Sequence, residues 1–172
     1  HPLQSFTDII TIQEAFKEQR KPKIVLTWAP HIKPIPQCVS NSFAQWINRW
    51  GAADFVITHP EGYELDTKFT GGAAIEYDQD KALPGADFVY VKNWSSYTDY
   101  GKVLCNDADW MLTREHLKTT NNAKVMHCLP GRRNVELSDE ILDSNSSIVN
   151  LQATNRVWAA QAVIAELLTT LN

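Results

Sequence analysis

The chain of 172 residues has few of the patterns that announce a function outright. Its three cysteines, Cys38, Cys105 and Cys128, are odd in number and far apart, with no Cys-x-x-Cys pair. That spacing disfavours a structural zinc and a disulfide framework, and the expected setting is reducing and cytoplasmic. The seven glycines are scattered. No Gly-x-Gly-x-x-Gly follows the first predicted strand and no Walker loop exists, so a dinucleotide or NTP site is poorly supported. Sixteen basic and twenty acidic residues give a formal charge of -4, and no basic block stands out. A general nucleic-acid surface is therefore not expected, although a local anion site is compatible with that charge. No apolar run approaches the roughly 20 residues of a membrane span, and no signal-peptide pattern is present. The chain starts at His1 without an initiator methionine, so a processed, excised or partial polypeptide is expected.

What is present is an alternation of short β-rich runs with helical patterns. Strands are predicted at Lys23–Trp28, Asp54–Thr58, Ala73–Tyr77, Asp87–Lys92, Lys124–Cys128 and Ser147–Leu151. Several are near-continuous apolar runs, as in strands covered on both faces. Helices are predicted over Pro2–Lys17 (Ile9, Ile12 and Phe16 on one face), Ser40–Trp50 (Phe43, Trp46, Ile47 and Trp50), and about Thr154–Leu171 (Val157, Ala160, Ile164, Leu167 and Leu171). The pattern implies a single α/β domain over residues 1–172: three Rossmann-like layers, a mainly parallel sheet with helices on both faces.

Chemistry-bearing residues gather where strands end or helices begin. The run Val125-Met126-His127-Cys128-Leu129-Pro130-Gly131-Arg132-Arg133 closes a strand with a thiol, an outward carbonyl and two guanidinium groups. Ligands of open α/β sheets bind beyond the carboxyl ends of the strands, and guanidinium groups there favour an anion. The competing reading is a strand end with solvated arginines. In His1-Pro2-Leu3-Gln4, the proline suits the first helical position, which makes His1 the cap and sets Gln4 one turn on; a plain terminal cap is the alternative. Trp28-Ala29-Pro30-His31 follows the first strand and offers an aromatic wall with a polar tip, or merely a stiff connector over a core tryptophan. Lys92 ends a buried strand, where an ammonium needs an anionic partner unless it snorkels to solvent. Arg156 is expected in the first turn of the last helix, where the helix dipole disfavours a cation unless an anion binds; a solvated arginine is the alternative.

Together, His-Pro-x-Gln at residues 1–4, His-Cys-Leu-Pro at 127–130 and Asn155-Arg156 resemble the aspartate/ornithine carbamoyltransferase family over essentially the whole chain. The resemblance is to the C-terminal, amino-acid-binding half. The other half, with its Ser-x-Arg-Thr phosphate loop, is not in this sequence. The resemblance implies that His1 and Gln4 contact the carbonyl and amide of carbamoyl phosphate. It implies that Cys128 and Leu129 surround the reacting carbamoyl group and that Arg156 binds carbamoyl phosphate, with His1, Cys128 and Arg156 as the catalytic set. It implies no metal and no organic cofactor, the N-terminal half as partner, and a homotrimer of the full enzyme, with no nucleic-acid or membrane partner.

Two departures point within the family. Ornithine enzymes carry Asp-x-Trp and then Ser-Met-Gly where this chain has Lys92-Asn93-Trp94, and a Gly-Asp-Gly-x-Asn type segment where it has Trp28-Ala29-Pro30-His31. A cation in place of the aspartate repels a free α-ammonium and suits an ornithine whose α-nitrogen is acylated. The pattern therefore resembles the N-acylornithine branch, with N-succinylornithine or N-acetylornithine as acceptor in arginine biosynthesis. Trp28, His31, Lys92, Leu129 and Arg132 would then be the acylornithine contacts. Glu136, where an acetylornithine enzyme is expected to have lysine, leans toward succinyl. Transfer to ornithine or another amine, and a non-catalytic Rossmann-like binding module, remain alternatives.

Overall fold

The computed structural model describes residues 1–170. Its elements run α1 (Pro2–Ala15), β1 (Lys23–Trp28), α2 (Cys38–Trp50), β2 (Asp54–Thr58), α3 (Thr67–Thr70), β3 (Ala74–Glu76), α4 (Gln79–Ala82), β4 (Phe88–Lys92), α5 (Arg114–Leu117), β5 (Lys124–Met126), α6 (Asp139–Leu142) and α7 (Val149–Thr170). Five strands form one parallel sheet in the order β3-β2-β1-β4-β5. The expected fold class is therefore the observed one.

Period-two alternation along the strands builds both cores. Ile24, Leu26 and Trp28 of β1, Phe88 and Tyr90 of β4, and Met126 of β5 face α1 and α2, where Ile9, Ile12, Phe43 and Ile47 meet them. Val25, Val89, Val91 and Val125 point the opposite way, onto Leu83, Leu112, Leu137 and Ile141 around the short helices α4 and α6. Helix α2 stops at Gly51, whose φ of 67° forms a left-handed cap that other residues adopt at a cost.

Three expectations about elements are corrected. Ser147–Leu151 is not a sixth strand: Ser147 makes one isolated bridge to Val125, and α7 starts at Val149. Short apolar runs do not distinguish a strand from the first turn of a helix. Phe16 lies just past the end of α1 yet packs on the core. In α7, Val157, Ile164 and Leu167 are exposed rather than packed inward, while the polar Gln152 and Asn155 are buried. Those two side chains bond Asp8, Thr11 and Glu14 of α1, and this polar seam turns the apolar stripe outward. Leu171 lies outside the described residues.

The chain winds from β1 outward to β3 and then returns to place β4 on the other side of β1. The β1–β4 boundary is thus the switch point of the sheet, where a crevice opens beyond the carboxyl ends of the strands. Trp28 and Lys92 are register partners there. The boundary is stitched by Ala29 N–H donating to the Lys92 carbonyl at 3.2 Å and by Asn93 Nδ2 donating to the Ala29 carbonyl at 2.7 Å. Among the described residues, no helix is long and apolar enough to cross a membrane.

Candidate active site

A cavity of about 270 Å³ opens at the carboxyl end of β5, lined by Gln4, His127, Cys128, Leu129, Pro130, Gln152, Ala153 and Arg156. It gathers residues from α1, the turn after β5 and α7. Four expected residues, Gln4, Cys128, Leu129 and Arg156, therefore share one wall system. The turn is shaped by a left-handed Leu129, φ 47°, followed by a cis Leu129–Pro130 peptide. A non-glycine residue in that region has to be held there by its surroundings. The buried His127 ring does this: its Nδ1 accepts the Leu129 N–H at 3.0 Å. Its Nε2 then carries the proton and donates to Glu136 Oε1 at 3.3 Å, while Glu136 Oε2 accepts the Arg132 N–H at 2.9 Å. Burial pushes the Glu136 carboxyl up, but His127, the Arg132 N–H and the Lys92 charge outweigh it and hold it below the usual range.

His1 caps α1 in position only. Its side chain makes no capping bond, and it is exposed, outside the residues that line the cavity. Arg156 is not in the first turn of its helix, because α7 begins at Val149. The dipole argument therefore does not apply, and what marks Arg156 is its exposed position on the cavity wall.

Beneath the cavity lies a buried polar network that sequence reasoning missed. Asp8 Oδ1 accepts Gln4 Nε2 at 2.8 Å and Gln152 Nε2 at 2.7 Å, and Gln152 Oε1 accepts the His127 N–H at 2.9 Å. Burial pushes the Asp8 carboxyl up to about 7, against the opposing pull of Gln4, Gln152, Tyr90 and the Arg156 charge. Tyr90 is fully buried, and its hydroxyl is pushed well above its ordinary value by burial, then by the charges of Asp8 and Cys128. Burial also raises the Cys128 thiol, with Lys92 opposing. The four-residue spacing of Gln4 and Asp8 on α1 was the available signal.

A second cluster sits at the switch point. Lys92 is only 6% exposed, so it does not snorkel, and its charge acts on Cys128 and Glu136. Arg132 Nε donates to His31 Nε2 at 3.2 Å, and His31 Nδ1 donates to the Lys33 carbonyl at 2.7 Å. These two expected residues therefore meet across 101 positions of sequence. Trp28 does not form an open wall. It is 1% exposed, donates to the Trp94 carbonyl at 2.9 Å and packs on Tyr63 and Trp110. It supports the floor as a core residue. Arg133, the second guanidinium of the run, is engaged by Asp139 and Asp143, each at 2.7 Å, at the surface. A larger cleft of about 660 Å³ runs between Tyr77, Asp109, Trp110 and His116, and none of the expected residues lines it. Among the described residues, no group of three His, Cys, Asp or Glu side chains could hold a metal.

Comparison with known proteins bears on this geometry. Residues 37–167 match the family described as aspartate/ornithine carbamoyltransferase, Asp/Orn binding domain. An N-succinylornithine carbamoyltransferase of Bacteroides fragilis is 54% identical over 170 residues, covering 98% of this chain and 53% of that protein. An N-acetylornithine carbamoyltransferase of Xanthomonas axonopodis pv. citri is 31% identical, covering 97% of this chain and 54% of that protein. A crystal structure of an N-acetyl-L-ornithine transcarbamylase mutant complexed with carbamyl phosphate and N-succinyl-L-norvaline superposes with a TM-score of 0.85 at 30% identity, covering 97% of this chain and 56% of the other. The chain thus spans about half the length of the curated relatives it matches.

Proposed function

The chain belongs to the aspartate/ornithine carbamoyltransferase family, and on that premise we propose that residues 1–172 form the C-terminal, acceptor-binding half of an N-succinylornithine carbamoyltransferase. The enzyme transfers the carbamoyl group of carbamoyl phosphate to the δ-amine of N-succinylornithine, in arginine biosynthesis. The neutral amine attacks the carbamoyl carbon, a C–N bond forms, the C–O bond to phosphate breaks, and the nitrogen sheds a proton. N-Succinylcitrulline and phosphate leave. The N-terminal half supplies the rest of the phosphate site, and the full enzyme works in the cytoplasm as a homotrimer.

In this reading the cavity at the end of β5 receives the carbamoyl group. Gln4, with His1 a turn before it, addresses the amide and carbonyl, and Arg156 counters the negative charge of the phosphate. Cys128 and Leu129 border the reacting carbon. Fixed dipoles and charges aimed at a developing oxyanion are the largest usual contribution to acyl transfer, and register between two bound substrates adds another. Lys92 receives the α-carboxylate of the acceptor, and the exposed His31–Arg132 pair meets the succinyl carboxylate through its guanidinium. Trp28 holds this floor from below.

The observation that carries the substrate assignment is the buried ammonium of Lys92 at the switch point, where the family resemblance implies a carboxylate in enzymes that use a free diamino acid. Identity of 54% with an N-succinylornithine enzyme supports the same choice. N-Acetylornithine is the second reading, supported by relatives at 31% identity. The test is turnover by the full-length enzyme with N-succinylornithine, N-acetylornithine and ornithine. The expected order is succinyl over acetyl over ornithine, and equal use of free ornithine would remove the assignment. Lys92→Asp is expected to relieve part of the discrimination against ornithine. Titration calorimetry with both substrates but no turnover would instead favour a binding module.

A further inference from the structure

Asp8 takes no part in the chemistry above, yet it is the hub beneath the cavity. Its Oδ1 receives two side-chain amides, Gln4 Nε2 from α1 at 2.8 Å and Gln152 Nε2 from α7 at 2.7 Å. A carboxyl oxygen without a proton can only accept, so both glutamines must turn their NH2 groups toward it. That fixes the other end of each. Gln152 offers its oxygen to the His127 N–H at 2.9 Å and so ties the end of β5 to α7. Gln4, which lines the cavity, is left with its oxygen as the end free to meet a ligand. A flipped Gln4 amide would set oxygen against oxygen in a buried place, which is costly.

We propose that Asp8 is a positioning residue: it locks the Gln4 carboxamide with its acceptor oxygen toward the bound carbamoyl NH2, and through Gln152 it fixes the strand end that carries Cys128 and Leu129. The inference rests on the reading that this cavity receives the carbamoyl group. It does not need Asp8 to be charged. The second oxygen, Oδ2, is buried and makes no well-formed hydrogen bond, although the buried Tyr90 hydroxyl interacts with this carboxyl and with Cys128. A proton on Oδ2 leaves Oδ1 free to accept both amides, so the lock survives in either protonation state. The groups facing Asp8 are Gln4 on its own helix, Tyr90 from β4, Cys128 after β5, and Gln152 and Arg156 from α7.

The test uses the full-length enzyme with Asp8→Ala and Asp8→Asn. Asparagine keeps an accepting Oδ1 and resembles the protonated acid. Asp8→Ala is expected to lower kcat/KM for carbamoyl phosphate by about 10- to 100-fold, with the KM for the acylornithine nearly unchanged. Asp8→Asn is expected to recover most of that loss. A loss shared equally by both substrates and tracking the melting temperature would reduce Asp8 to a packing role and overturn the proposal. So would an asparagine variant as poor as alanine. A second readout is independent of catalysis and of whether Asp8→Ala folds: with 15N-labelled glutamine, the side-chain amide signals of Gln4 and Gln152 should move together with one midpoint near pH 7 in the parent enzyme and stay flat in Asp8→Asn. Separate midpoints, or amides that exchange as freely as exposed ones, would refute the lock. Absence of carbamoyl transfer in the parent enzyme, with the coupled amide titration intact, would count against the proposed function and leave the lock standing.

Discussion

Two aspartates lie at opposite edges of the same sheet, and their surroundings differ in kind. At the amino edge, Asp87 precedes β4 and accepts from Arg20 Nη1 and Nη2 at 2.7 and 2.6 Å, from the Lys23 N–H at 2.8 Å and from Asn121 Nδ2 at 2.8 Å. Burial pushes its carboxyl up, but Arg20, the Lys23 N–H and Asn121 prevail and hold it below the ordinary value. At the carboxyl edge, Asp8 meets only neutral groups, the Gln4 and Gln152 amides and the Tyr90 hydroxyl, and is pushed up to about 7. The closed edge is satisfied with a cation. The open edge leaves a carboxyl under a cavity with no contacting cation, a local cost of the kind found where structure serves chemistry.

That contrast is sharpened most by Arg156→Ala. Arg156 is exposed on the cavity wall, and exposed positions of this sort change stability within about 0.5 kcal/mol. Turnover by the full-length enzyme is expected to fall by about 1000-fold, the scale of losing one group that stabilises transition-state charge. A collapse of the melting temperature with normal specific activity would break the division between edges. Next comes pH. Asp8 is raised above its unfolded value of 3.8 to about 7, so its burial is least costly when protonated. Stability from this group is present at low pH and is lost as pH rises from about 4 to 7, by at most about 4 kcal/mol. Urea unfolding of the parent and Asp8→Asn should therefore diverge in favour of the variant between pH 5 and pH 8. Parallel curves would show that Asp8 does not titrate there. Asp87 has the opposite sign: its contribution is present above its unfolded value and is lost as pH falls through its lower folded value. Asp87→Asn is expected to cost about 2 kcal/mol, moderated because Arg20 is 43% exposed and screened by solvent. Activity per folded molecule should not change, and equilibrium unfolding alongside kcat checks both.

Much of the fold was legible, because β1, β2 and β4 are apolar on both faces and a parallel sheet is what such strands build. The site was legible where a residue type is out of place for its position. Lys92 in a buried strand is one case, and the thiol and arginine beyond β5 are another. Trp28 misled because a tryptophan at the end of a strand serves a ligand wall or a core equally well, and only the 2.9 Å bond to the Trp94 carbonyl settles where its N–H goes. Arg133 misled for the complementary reason: its carboxylate partners, Asp139 and Asp143, come from α6 and its C-terminal cap. Asp8 escaped notice because its meaning is tertiary. Gln152 is 144 residues away in sequence, and nothing local announces that the two side chains share an oxygen. The apolar stripe of α7 carried the right period and the wrong face, since the period says nothing of which side meets the core.

The smallest expected effect concerns the turn that joins the two clusters at the open edge. A Cβ built on Gly131 would stand 3.2 Å from His127 Nδ1 and 3.3 Å from its Cε1. That nitrogen is the acceptor of the Leu129 N–H, and the ring's other nitrogen faces Glu136. The ring is fully buried between these two contacts, so it cannot retreat without stretching one of them. Gly131→Ala is thus expected to destabilise by about 1 kcal/mol, the scale of one weakened buried hydrogen bond. Because Leu129 borders the cavity, the same change should lower kcat/KM for carbamoyl phosphate several-fold, while Gly72→Ala, where an added Cβ meets open space and the backbone is not left-handed, leaves it untouched. Equal kinetics in the two variants would mean that the His127 ring does not set the position of Leu129.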